Sequence, residues 1–153
     1  MSADSARWVV GFLAGNEPRP QGMCGPPPAA GGRHGTLGSV NVQDKDWAMI
    51  SRILDEIERL LREAGDAGAD WLDRLRQGAE HGDRPAALET LTGANTWNHM
   101  GSFFDRSLDD RTLDRAFRRA QIQLAEAFES AGVATSDVRA WASTLRTWES
   151  QGI

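Results

Sequence analysis

Apolar side chains recur at steps of three and four residues through one long stretch of this 153-residue chain. They occupy positions 47, 50, 53, 54, 57, 60 and 61, which share one face of a helix with 3.6 residues per turn. Asp46 can cap the start of such a helix, and Gly65 can end it near Ala64. The pattern therefore predicts a first helix over about residues 46–64.

Four further helices are predicted from the same spacing, over about residues 69–80, from 83 to Gly93, over 107–131 and from 135 onward. The fourth would begin at a capping box, Ser107-Leu108-Asp109-Asp110, and end at Gly132. The fifth would bury Val138, Trp141, Leu145 and Trp148. No stretch alternates apolar and polar residues as a strand does. The predicted fold is all-α, a compact bundle of about five helices.

Residues 1–45 have a different composition. The stretch 15–38 holds five of the six prolines and many glycines, with little that could be buried. Ordering such a segment costs conformational entropy without compensating burial. We interpret residues 1–45 as a disordered tail, or as a stretch added by a start codon assigned too early, and residues 46–153 as the helical domain.

Charge and cysteine content exclude several classes of protein. A net charge of −5 opposes general binding to nucleic acid or to an anionic membrane. No apolar run approaches the ~20 residues that a membrane-spanning helix needs. Cys24 is the only cysteine, so the chain cannot form an internal disulfide and fits a reducing compartment. The expected location is the cytoplasm.

The charge is also unevenly distributed. Residues 46–105 carry twelve acidic residues and six arginines, whereas residues 106–153 carry seven of each. The first half could face a partner with a basic surface, or it could be a solvated acidic helix surface.

Residues capable of catalysis or metal binding are few and scattered. The three histidines are His34, His81 and His99, whereas a zinc site requires three or four closely grouped ligands. Ser102 is not in the G-x-S-x-G turn of a hydrolase nucleophile. We therefore expect no metal, no cofactor and no enzymatic activity.

The segment between the third and fourth predicted helices is dense in aromatic and hydrogen-bonding side chains. Its candidate binding residues are Trp97, Asn98, His99, Met100, Ser102, Phe104 and Asp105. Trp97 could either plug one end of the bundle or anchor a partner, because tryptophan is favoured in both settings. Gly101 can adopt a positive φ, Ser102 or Asp105 can cap the turn, and Phe103 or Phe104 can pack on the core.

Three segments in order, 53–61, 69–75 and the turn Met100-Gly101-Ser102-Phe103-Phe104-Asp105, carry a resemblance. Together they resemble an uncharacterised family of small bacterial helical domains, in which a Trp-Leu helix precedes a Met-Gly-Ser-Phe-x-Asp turn. The resemblance covers roughly residues 46–108. It implies a helical fold and a bacterial origin, and it implies no activity.

The leading interpretation is a small cytoplasmic protein-binding module, such as an immunity-type or regulatory partner protein. Its interface would combine Trp97, His99 and Phe104 with acids such as Asp70 and Asp73, and its partner would have a basic surface. One alternative is a small enzyme that uses His99 with Asp105 or Ser102. The other is a structural domain that oligomerises through its helix faces.

Overall fold

The computed structural model describes residues 41–97 and 100–153, and every regular element in that part of the chain is helical. The helices are α1 Asp44–Glu63, α2 Gly68–Gly78, α3 Arg84–Thr92, α4 Ala94–Trp97, α5 Arg111–Ser130 and α6 Ser136–Ser150. Five of them exceed one turn, and α4 is a single turn. The predicted all-α bundle of about five helices is confirmed. Residues 1–40 of the predicted tail lie outside the described residues.

The two longest helices, α1 and α5, pack against each other at the centre of the bundle. Helix α2 packs on α1, and α6 packs on α5. Helices α3 and α4 close one end, where α3 contacts α2 and α4 contacts α6. The largest side chains with less than 2% exposure come from both central helices and from their neighbours: Ile50, Leu54, Ile57, Leu60, Leu61, Leu72, Leu91, Trp97, Phe104, Phe117, Leu124 and Phe128.

Helix α1 begins two residues before the predicted start. Asp46 lies in its first turn, and Gln43 is the N-cap residue. Val42 is buried in the core, at 8% exposure. The packed core of the described residues therefore includes Val42, which lies two residues before α1. A lone valine beyond the helix is too little apolar sequence to show as a pattern.

The predicted helix ends at Gly65 and Gly132 are confirmed. Both glycines have a positive φ, +71° and +74°, which residues with a Cβ rarely adopt. After each glycine the next backbone N–H donates to a carbonyl in the last helical turn: Asp66 to Leu61 at 2.8 Å and Val133 to Phe128 at 2.9 Å.

The start of α5 differs from the prediction. The N-cap residue is Asp110, whose carboxylate accepts the N–H groups of Thr112 at 2.7 Å and Leu113 at 3.0 Å. The predicted capping box beginning at Ser107 is therefore wrong. A carboxylate satisfies two free N–H groups at once, so Asp110 is the stronger cap, and residues 107–109 remain outside the helix.

We predict that two tryptophans contribute very differently to stability. Trp97 is fully buried, its indole N–H donates to the Leu91 carbonyl, and its ring lies 4.5 Å from that of Phe104. Trp97→Ala should lower the free energy of unfolding by about 3–5 kcal/mol. Trp148, predicted to be buried, is in fact 36% exposed. Trp148→Ala should therefore cost only about 1 kcal/mol.

Urea denaturation followed by helical circular dichroism measures both losses. Because the two substitutions remove the same side chain, the comparison isolates the effect of burial. Equal losses for the two variants would contradict the placement of Trp97 in the core.

Candidate functional site

The described residues of the predicted binding segment are partly buried and partly exposed. Trp97 and Phe104 are 0% and 1% exposed, and Ser102 is 3% exposed. Met100 and Asp105 are exposed, Met100 at 94%. Asn98 and His99 lie outside the described residues. The rings of Trp97 and Phe104 face the core, and the remainder of the predicted binding site stays a prediction.

Trp97 lies inside a helical turn, although the sequence placed it outside any helix. The segment after it folds back, so that the Phe103 N–H donates to Asn95 and the Phe104 N–H donates to Thr96, both at 3.0 Å. This return brings the Phe104 ring against Trp97. Phe128 approaches Trp97 from α5, with ring centroids 6.2 Å apart. The aromatic residues of this segment form a core cluster.

Ser102 and Asp105, the proposed companions of His99, serve the loop itself. The Ser102 hydroxyl is buried and has no hydrogen-bond partner among the described residues. The Asp105 carboxylate accepts the N–H of Gly101 at 2.8 Å, and Gly101 adopts the predicted positive φ, +86°. Ser102 is only 3% exposed, and Asp105 borders a cavity between α5 and α6, where its carboxylate is occupied by the Gly101 N–H.

An unpredicted residue, Arg106, fixes this loop to the start of α2. Its guanidinium pairs with Asp66, and its Nε donates to the Phe103 carbonyl at 2.6 Å. The same guanidinium lies 4.4 Å from the centre of the Phe103 ring, which in turn lies 4.3 Å from Trp71. Gly68 leaves room for it, because a Cβ at that position would overlap the Arg106 side chain.

The acid-rich surface of α1 and α2 is partly neutralised by its own arginines. Three arginines, Arg59, Arg62 and Arg76, form ion pairs with six carboxylates on the two helices: Asp55, Glu56, Glu58, Glu63, Asp70 and Asp73. The hydrogen bonds from Arg59 hold the pKa of Glu56 below its usual range. Helices α1 and α2 together carry eight carboxylates against five arginines and one lysine, so this surface remains acidic by two charges.

An open cavity with one apolar side lies between α5 and α6. We call it the α5–α6 groove; its volume is about 450 Å³. Helix α5 contributes Asp114, Arg118 and Gln121, and helix α6 contributes Trp141, Leu145 and Trp148. The loop 104–107 and Ile153 close its ends.

The polar side of the groove is built around Asp114, which is only 6% exposed. Its carboxylate accepts the Leu108 N–H at 2.9 Å, the Ser107 hydroxyl at 3.3 Å and the Arg118 Nε at 3.0 Å. Arg118 also donates to the Ile153 carbonyl at 2.8 Å. Asp114 therefore ties the 107–108 loop to the first turn of α5, and Arg118 joins it to residue 153.

The apolar side of the groove is a pair of tryptophans. Trp141 and Trp148 meet edge to face, with ring centroids 5.9 Å apart. The Trp141 indole N–H donates to the Gln121 side chain at 3.0 Å, which fixes the orientation of the inner ring. Trp148 remains partly exposed, and the Arg118 guanidinium lies 6.0 Å from its ring centre.

Arginines line the outer rim of the groove. A smaller cavity of about 130 Å³ adjoins it and is lined by Arg115, Arg118, Arg119 and Glu149. Arg119 pairs with Glu149 at 2.6 Å, whereas Arg115 forms no ion pair with any described residue. Asp114 and Glu149 offset Arg118 and Arg119, and Arg115 is left without an ion pair among the described residues.

Within residues 41–97 and 100–153, no group of three or more His, Cys, Asp or Glu side chains could hold a metal ion. None of the described helices is long and apolar enough to cross a membrane.

Comparison with known proteins gives no match to a protein-family model, to a curated protein or to a solved structure. The resemblance to small bacterial helical domains therefore stays a prediction.

We predict that Asp114→Asn destabilises the protein by about 1–3 kcal/mol, since it weakens a nearly buried, charge-assisted hydrogen-bond cluster. Glu126→Gln is the matched control, because Glu126 pairs with Arg146 at 3.2 Å on the exposed surface. Glu126→Gln should lower the free energy of unfolding by less than about 1 kcal/mol. Urea denaturation of the two variants measures the difference, and a loss at Asp114 no larger than that at Glu126 would contradict the proposed role of Asp114.

We also predict that Ser102→Ala leaves stability unchanged or raises it by up to about 1 kcal/mol. The substitution removes a buried hydroxyl that has no hydrogen-bond partner within residues 41–97 and 100–153. Thr96→Val is the control, because the Thr96 hydroxyl is equally buried but donates to the Thr90 carbonyl at 2.7 Å. Losing this hydrogen bond should lower the free energy of unfolding by about 0.5–1.5 kcal/mol. A large loss of stability for Ser102→Ala would show that the Ser102 hydroxyl does have a partner.

Proposed function

We propose that this chain is a small cytoplasmic protein-binding module that contacts its partner through the α5–α6 groove. The observation that carries the proposal is the partly exposed Trp148, which lies over Trp141 and beside Arg118. Tryptophan and arginine are the residues that most often dominate the free energy of protein–protein binding. The groove combines both, whereas Trp97 and Phe104 are used in the core.

The polar groups of the groove favour a protein partner over a small molecule. A small-molecule site orients its ligand with convergent polar groups that are free to bond. Here Asp114 and Arg118 bond to each other and to the backbone. What they leave for a partner is the ring surface of Trp148 and the charge at the rim, which suit a contact made by side chains of another protein.

The proposed role is that of an immunity-type or regulatory partner protein, which acts by occupying a surface and needs no chemistry of its own. The single cysteine supports a reducing compartment such as the cytoplasm. The enzyme alternative gains no support from the positions of Ser102 and Asp105. The alternative of an oligomerisation domain predicts that the groove binds a second copy of the chain, which the following experiment distinguishes.

We predict that a photo-crosslinking amino acid placed at position 148 joins the full chain to one partner in the cells that encode it. The crosslinked species should have one discrete mass, different from twice the mass of the chain. Met49 on α1 is the control position, since it is 52% exposed and does not line the groove. The same crosslinker there should give no such species.

Two results would contradict the proposed function. A crosslinked product at position 49 alone would place binding on another surface. A product with twice the mass of the chain would support the oligomerisation alternative.

A further inference from the structure

We infer that the occupant of the α5–α6 groove is an acidic amphipathic segment of the partner protein. An apolar side chain of that segment lies on Trp148 at the mouth of the groove, and one of its carboxylates pairs with Arg115 at the rim. The inference rests on the proposed function and names the chemistry of its partner.

The arginines at the rim of the groove favour a carboxylate in the partner segment. Three arginines, Arg115, Arg118 and Arg119, line one small cavity of a chain whose net charge is −5. Arg115 is exposed and forms no ion pair with any residue in the described part of the chain. Arg119 is 66% exposed, and its partner Glu149 is 47% exposed, so that pair is weak and can exchange with an incoming carboxylate.

The apolar side of the groove favours an apolar side chain in the partner segment. Leu145 is 2% exposed and forms the floor, and the inner Trp141 is fixed by its hydrogen bond to Gln121. Trp148 packs edge to face on Trp141, so the apolar surface exists before a partner arrives. A surface that is already ordered loses little side-chain entropy on binding, and this favours affinity.

The positions of Arg115 and Trp148 together determine how far apart the carboxylate and the apolar side chain of the segment must be. Arg115 lines the smaller cavity, Trp148 lines the groove, and Arg118 and Ile153 line both. The apolar and anionic contacts are therefore neighbours, as they are when Leu, Phe or Trp lies within a few residues of Asp or Glu. A basic segment would be repelled at Arg115 and would instead be attracted to the acidic surface of α1 and α2.

Arginine beside tryptophan also suits nucleic acid, through phosphate contacts and base stacking. The observations favour an acidic peptide because, among the described residues, the rim offers a single arginine without an ion pair, whereas nucleic-acid binding draws on several phosphate contacts.

The test is a selection of short random peptides displayed on phage against the full chain, followed by affinity measurements on synthetic copies of the enriched peptides. We expect the enriched sequences to combine Asp or Glu with Trp, Phe or Leu. Trp148→Ala should weaken their binding by about tenfold or more. Arg115→Gln should weaken it severalfold and reduce its dependence on salt.

Two control variants change the same chemistry elsewhere. Arg74→Gln removes an exposed arginine from α2, and Met49→Ala removes an exposed apolar side chain from α1. Both should leave the affinity unchanged. Helical circular dichroism and thermal unfolding of each variant show that it is folded before its affinity is compared with that of the natural chain.

Several results would overturn the inference. The first two are an enrichment of basic or uncharged peptides, and peptide binding that is unchanged in Trp148→Ala. The other two are binding of a single-stranded oligonucleotide, or self-association of the chain, that Trp148→Ala abolishes. If the acidic peptides fail while position 148 still crosslinks to a partner, the nature of the occupant is wrong and the binding module stands. If position 148 crosslinks to nothing, the proposed function itself fails.

Discussion

The packing of α1 against α5 is the contact on which the rest of this bundle depends. Each helix is 20 residues long and buries one continuous apolar face on the other, and α2 and α6 attach to opposite members of the pair. Because α5 gives one face to α1 and an adjacent face to α6, its third face remains in solvent. Arg115, Arg118 and Arg119 occupy that side near Trp148. The groove therefore forms because α5 packs against both α1 and α6.

Periodicity in the sequence predicted the helices well because it reports a property of each helix alone. The face of α1 and the terminal glycines Gly65 and Gly132 were predicted correctly for this reason. Trp148, predicted to be buried, is partly exposed, and Trp97, for which the sequence allowed either a core position or a partner contact, lies in the core. Trp148 follows the apolar pattern of α6 but lies past the part of that face which neighbours cover, and Trp97 belongs to a single turn too short to show a period. A pattern tells which side of a helix is apolar, and the neighbours decide how far that side is buried.

The candidate site could not be predicted, because contacts between distant residues build it. Asp114 and Arg118 lie four residues apart on α5 and form an ion pair, but the sequence alone does not show that Asp114 is buried. Asp114 is buried because residues 107 and 108 fold over it instead of starting the helix. Likewise, Arg106 meets Asp66 across 40 residues of sequence, and only the folded chain brings them together.

Charge is separated within this small bundle, and the separation bears on how a partner would approach it. Helices α1 and α2 carry eight carboxylates against five arginines and one lysine, while Arg115 at the rim of the α5–α6 groove is exposed and forms no ion pair with any described residue. Exposed charges of this kind contribute little to affinity, but a surface with opposite charge on two sides orients an approaching protein before contact. A partner that is basic overall yet presents one acidic apolar segment would be attracted by the whole chain and guided by the rim. The basic partner expected from the composition and the acidic segment inferred from the groove are therefore compatible properties of one protein.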